Sequence, residues 1–263
     1  QFGSHGYLDK VSITIEEFYE EVANNPVHPT TSQPAPGDFR RQFQFLASHF
    51  DDVISINLTS TVSGTYEAAR LAAERTRAHG KIHVVDSRTG SLGQGQLAVL
   101  AAECAELGLD VDTTLAALQA QIPESAGFGI VDNMLYAVRG GRMPGWVKTI
   151  AEVLRLIPII SITRGGRLTL SGALFGRRNR IERFARYVAK RLPEGPVELG
   201  IGHAVCEEDA LELEKQLRRL VPDVPKLVVT GLGPGIGAHS GPGTLLVCFR
   251  PWVSAQDIAR GAD

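Results

Sequence analysis

The segment Ile54–Ala72, ISINLTSTVSGTYEAARLA, sets the architecture of the chain. The apolar run at residues 53–58 is typical of a buried strand, and residues 66–74 have the composition of a helix. The turn between them, residues 59–65, consists of Thr, Ser, Val and Gly. This order of elements places free backbone N–H groups at the carboxyl edge of a parallel sheet. Those donors and the positive end of the helix dipole suit an anion, either a phosphate or a carboxylate.

Further strands and helices flank this segment. Residues 82–87 form a second apolar run that ends in a polar turn, and residues 94–107 and 113–121 predict helices. Upstream, Thr14 and Glu17 have the spacing of a capping box, which predicts a helix start. Strands that alternate with helices indicate a parallel α/β sheet.

The pattern changes near Leu156. Downstream of it we expect a strand at residues 157–162, a hairpin turn at Gly165 and Gly166, and a basic helix at residues 180–192. The sequence therefore predicts two α/β domains, an N-terminal parallel-sheet domain at residues 1–156 and a C-terminal mixed-sheet domain at residues 157–263.

The composition excludes several classes of protein. Of the 263 residues, 43% are hydrophobic, which is ample for a packed core, and the formal net charge of -2 argues against nucleic acid as a partner. The cysteines, Cys104, Cys206 and Cys248, form no CxxC pair, so we expect buried thiols in a reducing, cytoplasmic compartment. We expect no stable membrane insertion, because no apolar run approaches about 20 residues. The first residue is Gln1 rather than Met, which indicates a processed or cloned end.

Three small polar turns adjoin predicted strands, and each is a candidate site for binding a ligand. They contain Thr31-Ser32, the stretch from Thr59 to Thr65, and the stretch from Asp86 to Ser91. Ligands of open α/β sheets bind at the carboxyl ends of strands. Helix capping is the simpler interpretation for Ser87 or Thr59. Ser63 and Gly64 favour binding, because a Ser beside a Gly at a helix start leaves both N–H and O–H donors free.

A glycine-rich segment at residues 231–243 is the second strong signal. It contains Gly233-x-Gly235-x-x-Ala238, which resembles a dinucleotide fingerprint, but that motif opens a long helix and here a strand is predicted at residues 244–249. We expect instead a tight loop from which His239 projects.

The remaining polar motifs are weaker. Arg142 follows two glycines, and it is either a solvated arginine or a fixed positive charge for an acidic head group. His79 and His83 are four residues apart at a predicted loop–strand junction, so we expect no metal site there. The arginines around residues 177–186 indicate a solvated helix face or a docking patch for a partner.

Taken together, these motifs resemble the DegV family, the fatty-acid-binding proteins that include the FakB-type subunits of bacterial fatty acid kinase. The matching stretches cover almost the whole chain in order: Thr31-Ser32-Gln33-Pro34, residues 58–69 with Ser63-Gly64-Thr65-Tyr66, Val85-Asp86-Ser87, Gly140-Gly141-Arg142 and residues 237–243. Members of that family usually open with a further strand and an Asp-Ser motif, and this chain starts just after that point.

The resemblance implies a lipid-binding protein rather than an enzyme. It implies a long-chain fatty acid held in an apolar tunnel between the two domains, with its carboxylate bound by Thr31 and Ser63 and with His239 and Arg142 near the head group. The acid would then be presented to the catalytic subunit of a fatty acid kinase, which makes an acyl phosphate for phospholipid synthesis. The fatty acid is a ligand, and no cofactor is expected. The candidate ligand-binding residues are Thr31, Ser32, Ser63, Gly64, Thr65, Ser87, Arg142 and His239.

The same residues allow two alternatives to fatty acid binding. A serine-dependent hydrolase or acyltransferase would use Ser63 and His239, but no acidic partner for His239 is evident and no nucleophile motif is present. Nucleotide binding at the same turns is weakened by the absence of a phosphate-loop Lys.

Overall fold

The computed structural model describes residues 1–77 and 80–262. The protein has an α/β fold. Its strands are β1 (Asp52–Asn57), β2 (Lys81–Asp86), β3 (Ala126–Ile130), β4 (Leu156–Ile162), β5 (Leu168–Phe175), β6 (Val197–His203), β7 (Lys226–Gly231) and β8 (Leu245–Pro251). Its helices are α1 (Ile15–Asn24), α2 (Pro36–Leu46), α3 (Thr65–Glu74), α4 (Leu92–Glu106), α5 (Val111–Gln121), α6 (Leu135–Arg139), α7 (Gly145–Val153), α8 (Arg180–Ala189), α9 (Glu207–Leu220), α10 (Pro234–Ser240) and α11 (Ala255–Ala262). A 3-10 turn at Ile122–Glu124 follows α5.

The chain divides into two compact units that are each discontinuous in sequence. Unit 1 contains Gln1–Thr31, Gly127–Ile162 and Leu168–Phe249. Unit 2 contains Ser32–Ala126, Thr163–Arg167 and the segment from Arg250 onwards. The boundary predicted near Leu156 falls inside unit 1. A cut at that point would separate β4 from β3, its antiparallel neighbour in the sheet.

Unit 1 is built on a mixed sheet of six strands in the order β5-β4-β3-β8-β6-β7. Both β3 and β5 run antiparallel to β4, whereas β6 and β7 are parallel. Six of the seven residues of β6 are buried, which is typical of a central strand that is covered on both faces. Fully buried side chains of this unit include Ile130, Ile159, Phe184, Leu199, Ile201, Leu213 and Leu217.

Unit 2 contains the parallel pair β1 and β2, with Val53 opposite Ile82 and Asn57 opposite Asp86. Successive side chains of a strand point to opposite faces, so each strand serves two layers. Ile54, Ile56 and Val85 pack against α4 and its neighbours. The other face, with Ile82 and Val84, packs against α2 and α3. The strand–turn–helix predicted from Ile54–Ala72 is confirmed as β1, a polar turn and α3.

The predicted start of α1 is also confirmed. The Thr14 hydroxyl accepts a hydrogen bond from the Glu17 N–H at 3.2 Å, and the Glu17 carboxylate accepts one from the Thr14 N–H at 2.8 Å. This reciprocal pair is a complete capping box.

The glycine-rich segment at residues 231–243 is not the loop that the sequence predicts, because Pro234–Ser240 forms the short helix α10. Pro234 occupies the first turn, where its missing N–H costs nothing, and Gly241, with a φ of +72°, ends the helix. A Cβ at Gly237 would lie 2.6 Å from the Tyr19 hydroxyl oxygen, too close for any side chain. That glycine therefore serves close packing of α10 against α1 rather than loop flexibility.

Within the described part of the chain, none of the helices is both long enough and apolar enough to cross a membrane.

Candidate functional site

His239 lies in the last turn of α10, and contacts from the N-terminal segment hold that helix in place. The Tyr19 hydroxyl on α1 donates a hydrogen bond to the carbonyl of Leu232 at 3.1 Å. The carboxylate of Asp9 accepts one from the N–H of Gly235 at 3.0 Å, which satisfies a donor in the first turn of α10. These contacts fix the position of the helix from which His239 projects.

The predicted residues Thr31 and His239 meet in unit 1. The Thr31 Oγ1 and the His239 Nε2 are 2.7 Å apart, a hydrogen-bond distance, although the residues are 208 positions apart in sequence. Thr31 is exposed and His239 is half-buried. The pair thus presents a hydroxyl and an imidazole edge at the surface of unit 1.

Gly140 makes room for the His239 ring. A Cβ at this position would lie 2.1 Å from the His239 Nδ1 and 3.0 Å from its Cε1. Because real side chains never come so close, only glycine fits between α6 and the imidazole. Packing against His239 therefore explains why the Gly140-Gly141-Arg142 motif begins with a glycine.

Arg142 lies two residues after Gly140 and hydrogen bonds to it. Its Nη1 donates to the carbonyl of Gly140 at 2.5 Å, and the side chain is exposed. Its charge acts on His239 and helps to lower the pKa of that imidazole. Arg142 therefore supplies positive potential beside the Thr31–His239 pair.

A second imidazole, that of His28, belongs to this cluster. Its ring packs against Tyr136 with centroids 5.2 Å apart, and its protonated form disfavours a second positive charge on His239. Among the described residues, neither the His28 Nε2 nor the His239 Nδ1 has a hydrogen-bond partner, and both atoms are buried. His28 is not among the residues predicted from the sequence, although its position three residues before Thr31 is a signal that could have marked it.

Both imidazoles are neutral at pH 7. Burial, followed by the charges of Arg142 and His28, lowers the pKa of His239 to about 4. Burial, followed by the charge of Arg139, also lowers the pKa of His28. The cluster of Thr31, His239, His28 and Arg142, which we call the His239 cluster, therefore combines neutral rings with fixed positive charge and suits an anion.

The turn before α3 carries the candidates of unit 2. The Ser63 and Thr65 hydroxyl oxygens are 2.8 Å apart, and the Thr65 N–H donates to the Ser63 Oγ at 3.2 Å. Gly64 is the N-cap of α3 and makes no side-chain cap. A Cβ on Gly64 would lie 2.0 Å from the Oε1 of Gln33, so the glycine allows the Gln33 amide to approach this turn. Gln33, which belongs to the Thr31-Ser32-Gln33-Pro34 stretch, is therefore a further residue of this turn that was not predicted as a site residue.

The other predicted residues have local roles or are exposed. The Ser87 hydroxyl is fully buried and donates to the carbonyl of Thr89 at 3.1 Å, which closes its own turn. The buried Thr59 donates to the carbonyl of Gly166 at 3.0 Å. Ser32 is exposed. The Ser87 contact closes a turn, whereas the Thr59 contact joins two segments that are 107 residues apart in sequence. We do not carry Ser87 into the proposed site.

These contacts do not support the hydrolase alternative. The partner of the Ser63 hydroxyl is Thr65, and the partner of the His239 Nε2 is Thr31. No acidic side chain of the described residues hydrogen bonds to the His239 Nδ1, the position that a catalytic aspartate orients in a serine triad. Residues 1–77 and 80–262 contain no group of three or more His, Cys, Asp or Glu side chains placed to hold a metal ion. His79 lies outside the described residues.

Comparison with known proteins agrees with this description. The family model for "Uncharacterised protein, DegV family" matches residues 1–251. A DegV domain-containing protein of Caldanaerobacter subterraneus is 32% identical over 245 residues, which is 93% of this chain and 86% of that protein. The chain therefore belongs to the DegV family.

Solved structures of the family have the same fold. The Bacillus subtilis DegV, described as a fatty acid binding protein, is 27% identical with a TM-score of 0.83 over 96% of this chain and 89% of that one. A DegV family protein from Thermus thermophilus, whose structure is described in terms of fatty acid binding, is 28% identical with a TM-score of 0.84 over 95% and 89%.

Replacing Gly140 with Ala tests the packing of His239. The added methyl group displaces the imidazole toward water, so we expect the pKa of His239 to rise from about 4 toward about 6.5, and stability to fall by about 1–3 kcal/mol. NMR titration of the histidine ring and urea unfolding measure the two effects. Gly145→Ala is the matched control, because its nearest neighbour is 3.9 Å away. An unchanged His239 pKa in Gly140→Ala would contradict the packing account.

Proposed function

We propose that this protein binds a long-chain fatty acid, holds its carboxylate at the His239 cluster, and presents the acid to a fatty acid kinase. The observation that carries the proposal is the 2.7 Å contact between Thr31 and His239, which lies beside Arg142. Relatives of the same fold that are described as fatty acid binding support the ligand class.

The chemistry of the cluster favours a carboxylate over a neutral ligand. A carboxylate only accepts hydrogen bonds, and the hydroxyl of Thr31, the imidazole of His239 and the guanidinium of Arg142 all offer protons. The positive charge of Arg142 stabilises the ionised head group in partly buried surroundings. These residues concern the head group only. The apolar tunnel for the acyl tail stays a prediction.

The expected energies divide between tail and head group. Each buried methylene contributes roughly 0.8 kcal/mol, so a long tail contributes on the order of ten kcal/mol. Each hydrogen bond to a charged group adds about 1.5–3 kcal/mol. The tail therefore sets most of the affinity, and the cluster sets where the carboxylate lies.

The proposal also gives Ser63 a part in holding the carboxylate. If Thr65 donates to the Ser63 oxygen, as its backbone N–H already does at 3.2 Å, the Ser63 hydroxyl proton is left for the ligand. Gly64, Thr65 and the exposed Ser32 complete the proposed set.

Replacing Thr31 or Ser63 with Ala should reduce the amount of lipid retained through purification. Loss of one hydrogen bond to a carboxylate weakens binding by about tenfold to a hundredfold. Mass spectrometry of an organic extract, with protein quantified in parallel, names the ligand and measures its occupancy. Ser60→Ala is the matched control, since Ser60 is an exposed hydroxyl of the same turn. Equal lipid content in all four proteins would count against the proposal.

Presentation to a kinase requires a docking surface, and the start of α8 supplies a candidate. Arg178 is exposed there. Its neighbours have structural partners: Arg180 pairs with Asp132 and Asp209, while Arg183 donates to the carbonyls of Phe175 and Gly176. Replacing Arg183 would therefore disturb the end of β5, and Arg178 is the cleaner position to test.

Arg178→Glu should lower the rate at which a fatty acid kinase uses the loaded protein, without changing lipid content. A like-charge contact at the edge of an interface mainly slows association, and we expect about a tenfold loss in kcat/KM. Phosphate transfer with purified kinase measures this. Arg40→Glu makes the same charge change on α2, at another exposed position. Equal losses in both variants, or none in Arg178→Glu, would refute docking at α8.

A further inference from the structure

Three close contacts join the segment around α6 to the end of α10. In each contact a glycine of one segment makes room for a side chain of the other: Gly140 for His239, Gly241 for Tyr136, and Gly243 for Asp132. A Cβ on Gly243 would lie 3.0 Å from the Oδ2 of Asp132 and 3.3 Å from its Cγ. Movement of the segment around α6 therefore changes the surroundings of the imidazole.

Asp132 lies in the turn between β3 and α6, three residues before the helix begins. Its carboxylate binds two arginines that come from the start of α8. The Oδ2 accepts a hydrogen bond from the Arg177 Nη2 at 2.8 Å, and the Oδ1 accepts one from the Arg180 Nη1. Charged donors thus hold both oxygens of Asp132, and such hydrogen bonds are stronger than those between neutral groups.

Arg180 is held from a second side as well. Its Nη2 donates to the carboxylate of Asp209 on α9. Only 16% of the Arg180 side chain is exposed, compared with 68% for Arg177. A guanidinium presents its donors in a rigid plane, so pairing with two carboxylates fixes its orientation. Arg180 therefore connects the turn before α6 to both α8 and α9.

The position of α6 depends on such contacts, because the helix has only five residues. A helix of this length is not stable by itself, so its neighbours determine where it lies. Partly buried ion pairs add little net stability, because desolvation offsets their attraction. A binding site, however, needs its side chains held to within about 0.5 Å. The ion pairs of Asp132 supply a fixed point for the helix that carries Tyr136 and leads into Gly140.

We propose that Asp132 is a positioning residue of the His239 cluster. Held by the two arginines, its carboxylate fixes the turn before α6, and α6 keeps the His239 ring where it meets Thr31. The same arginines flank Arg178, so the surface proposed for kinase docking is joined to the cluster through Asp132. The inference rests on the proposed function for its ligand, but the surroundings of the imidazole are measurable without one.

Asp132→Asn tests the inference in the ligand-free protein. The amide has the shape of the carboxylate but no charge, so it holds the arginines weakly. We expect water to reach the imidazole and the pKa of His239 to rise from about 4 by about one pH unit, toward its ordinary value of about 6.5. NMR titration of the ring measures this. Loss of a negative charge acting through space would lower the pKa instead, so a rise reports a change of packing.

Asp209→Asn is the matched control. It removes the same charge from the same guanidinium, but Asp209 belongs to α9 rather than to the turn before α6. We expect a lower urea midpoint in both variants, and an unchanged His239 pKa in Asp209→Asn. Arg180→Lys keeps the charge but loses the planar fork, so it should raise the His239 pKa as Asp132→Asn does. It carries the test if Asp132→Asn does not fold.

Isothermal titration with monomeric dodecanoate connects this geometry to the ligand. Asp132→Asn should bind about tenfold more weakly than the unmodified protein, which corresponds to weakening one hydrogen bond to a charged group. Asp209→Asn should bind as the unmodified protein does. These two affinities also test the positioning role, since a purely structural ion pair would leave both equal.

The outcomes separate this inference from the proposed function. The inference is overturned by an unchanged His239 pKa in Asp132→Asn, by an equal rise in Asp209→Asn, or by equal dodecanoate affinity in the two variants. If Asp132→Asn does not fold, an unchanged pKa in Arg180→Lys overturns it. Failure of the unmodified protein to bind dodecanoate, with the expected pKa difference between the variants, overturns the proposed function and leaves the positioning of His239 standing.

Discussion

The hydrogen bond between Thr31 and His239 is the constraint on which the account of this protein depends. It joins the segment after α1 to α10, and it requires that α10 lie close to its neighbours. Glycines make this possible: Gly237 admits Tyr19, and Gly140 admits the imidazole itself. The contacts of Tyr19 with Leu232 and of Asp9 with Gly235 then fix the helix. Gly237 in the glycine-rich segment at residues 231–243 is therefore explained by the close packing that positions His239.

Much of the fold could be predicted from the sequence because its signals are local. The apolar run ahead of Ser63, the helix after it and the capping box at Thr14 each depend on residues within one or two turns. The glycine-rich segment was predicted as a loop because glycine has a low helix propensity. In the folded protein, tertiary packing overrides that propensity, and residues 234–240 form the helix α10. The predicted boundary near Leu156 falls inside unit 1. Residues 127–156 belong to unit 1 because β3 pairs with β4. The sequence near Gly127 shows no change of composition from which this division could be predicted.

The candidate site was predictable in part. Thr31, Arg142 and His239 were proposed for one head group, and the structure places all three in the His239 cluster of unit 1. Ser63 and Gly64 lie at the predicted start of α3 in unit 2, and their share in the same head group stays a prediction. His28 was missed because a lone histidine in a proline-rich stretch has no periodicity or motif, and only its position three residues before Thr31 marks it. Its role is visible only through burial and its contact with Tyr136.

The most direct measurement is a crystal structure of the protein with a bound fatty acid. The account predicts that the carboxylate lies within hydrogen-bond distance of the Thr31 hydroxyl and of a ring nitrogen of His239, with the guanidinium of Arg142 nearby. A fatty acid whose carboxylate is bound elsewhere, with the Thr31–His239 contact unengaged, would contradict it.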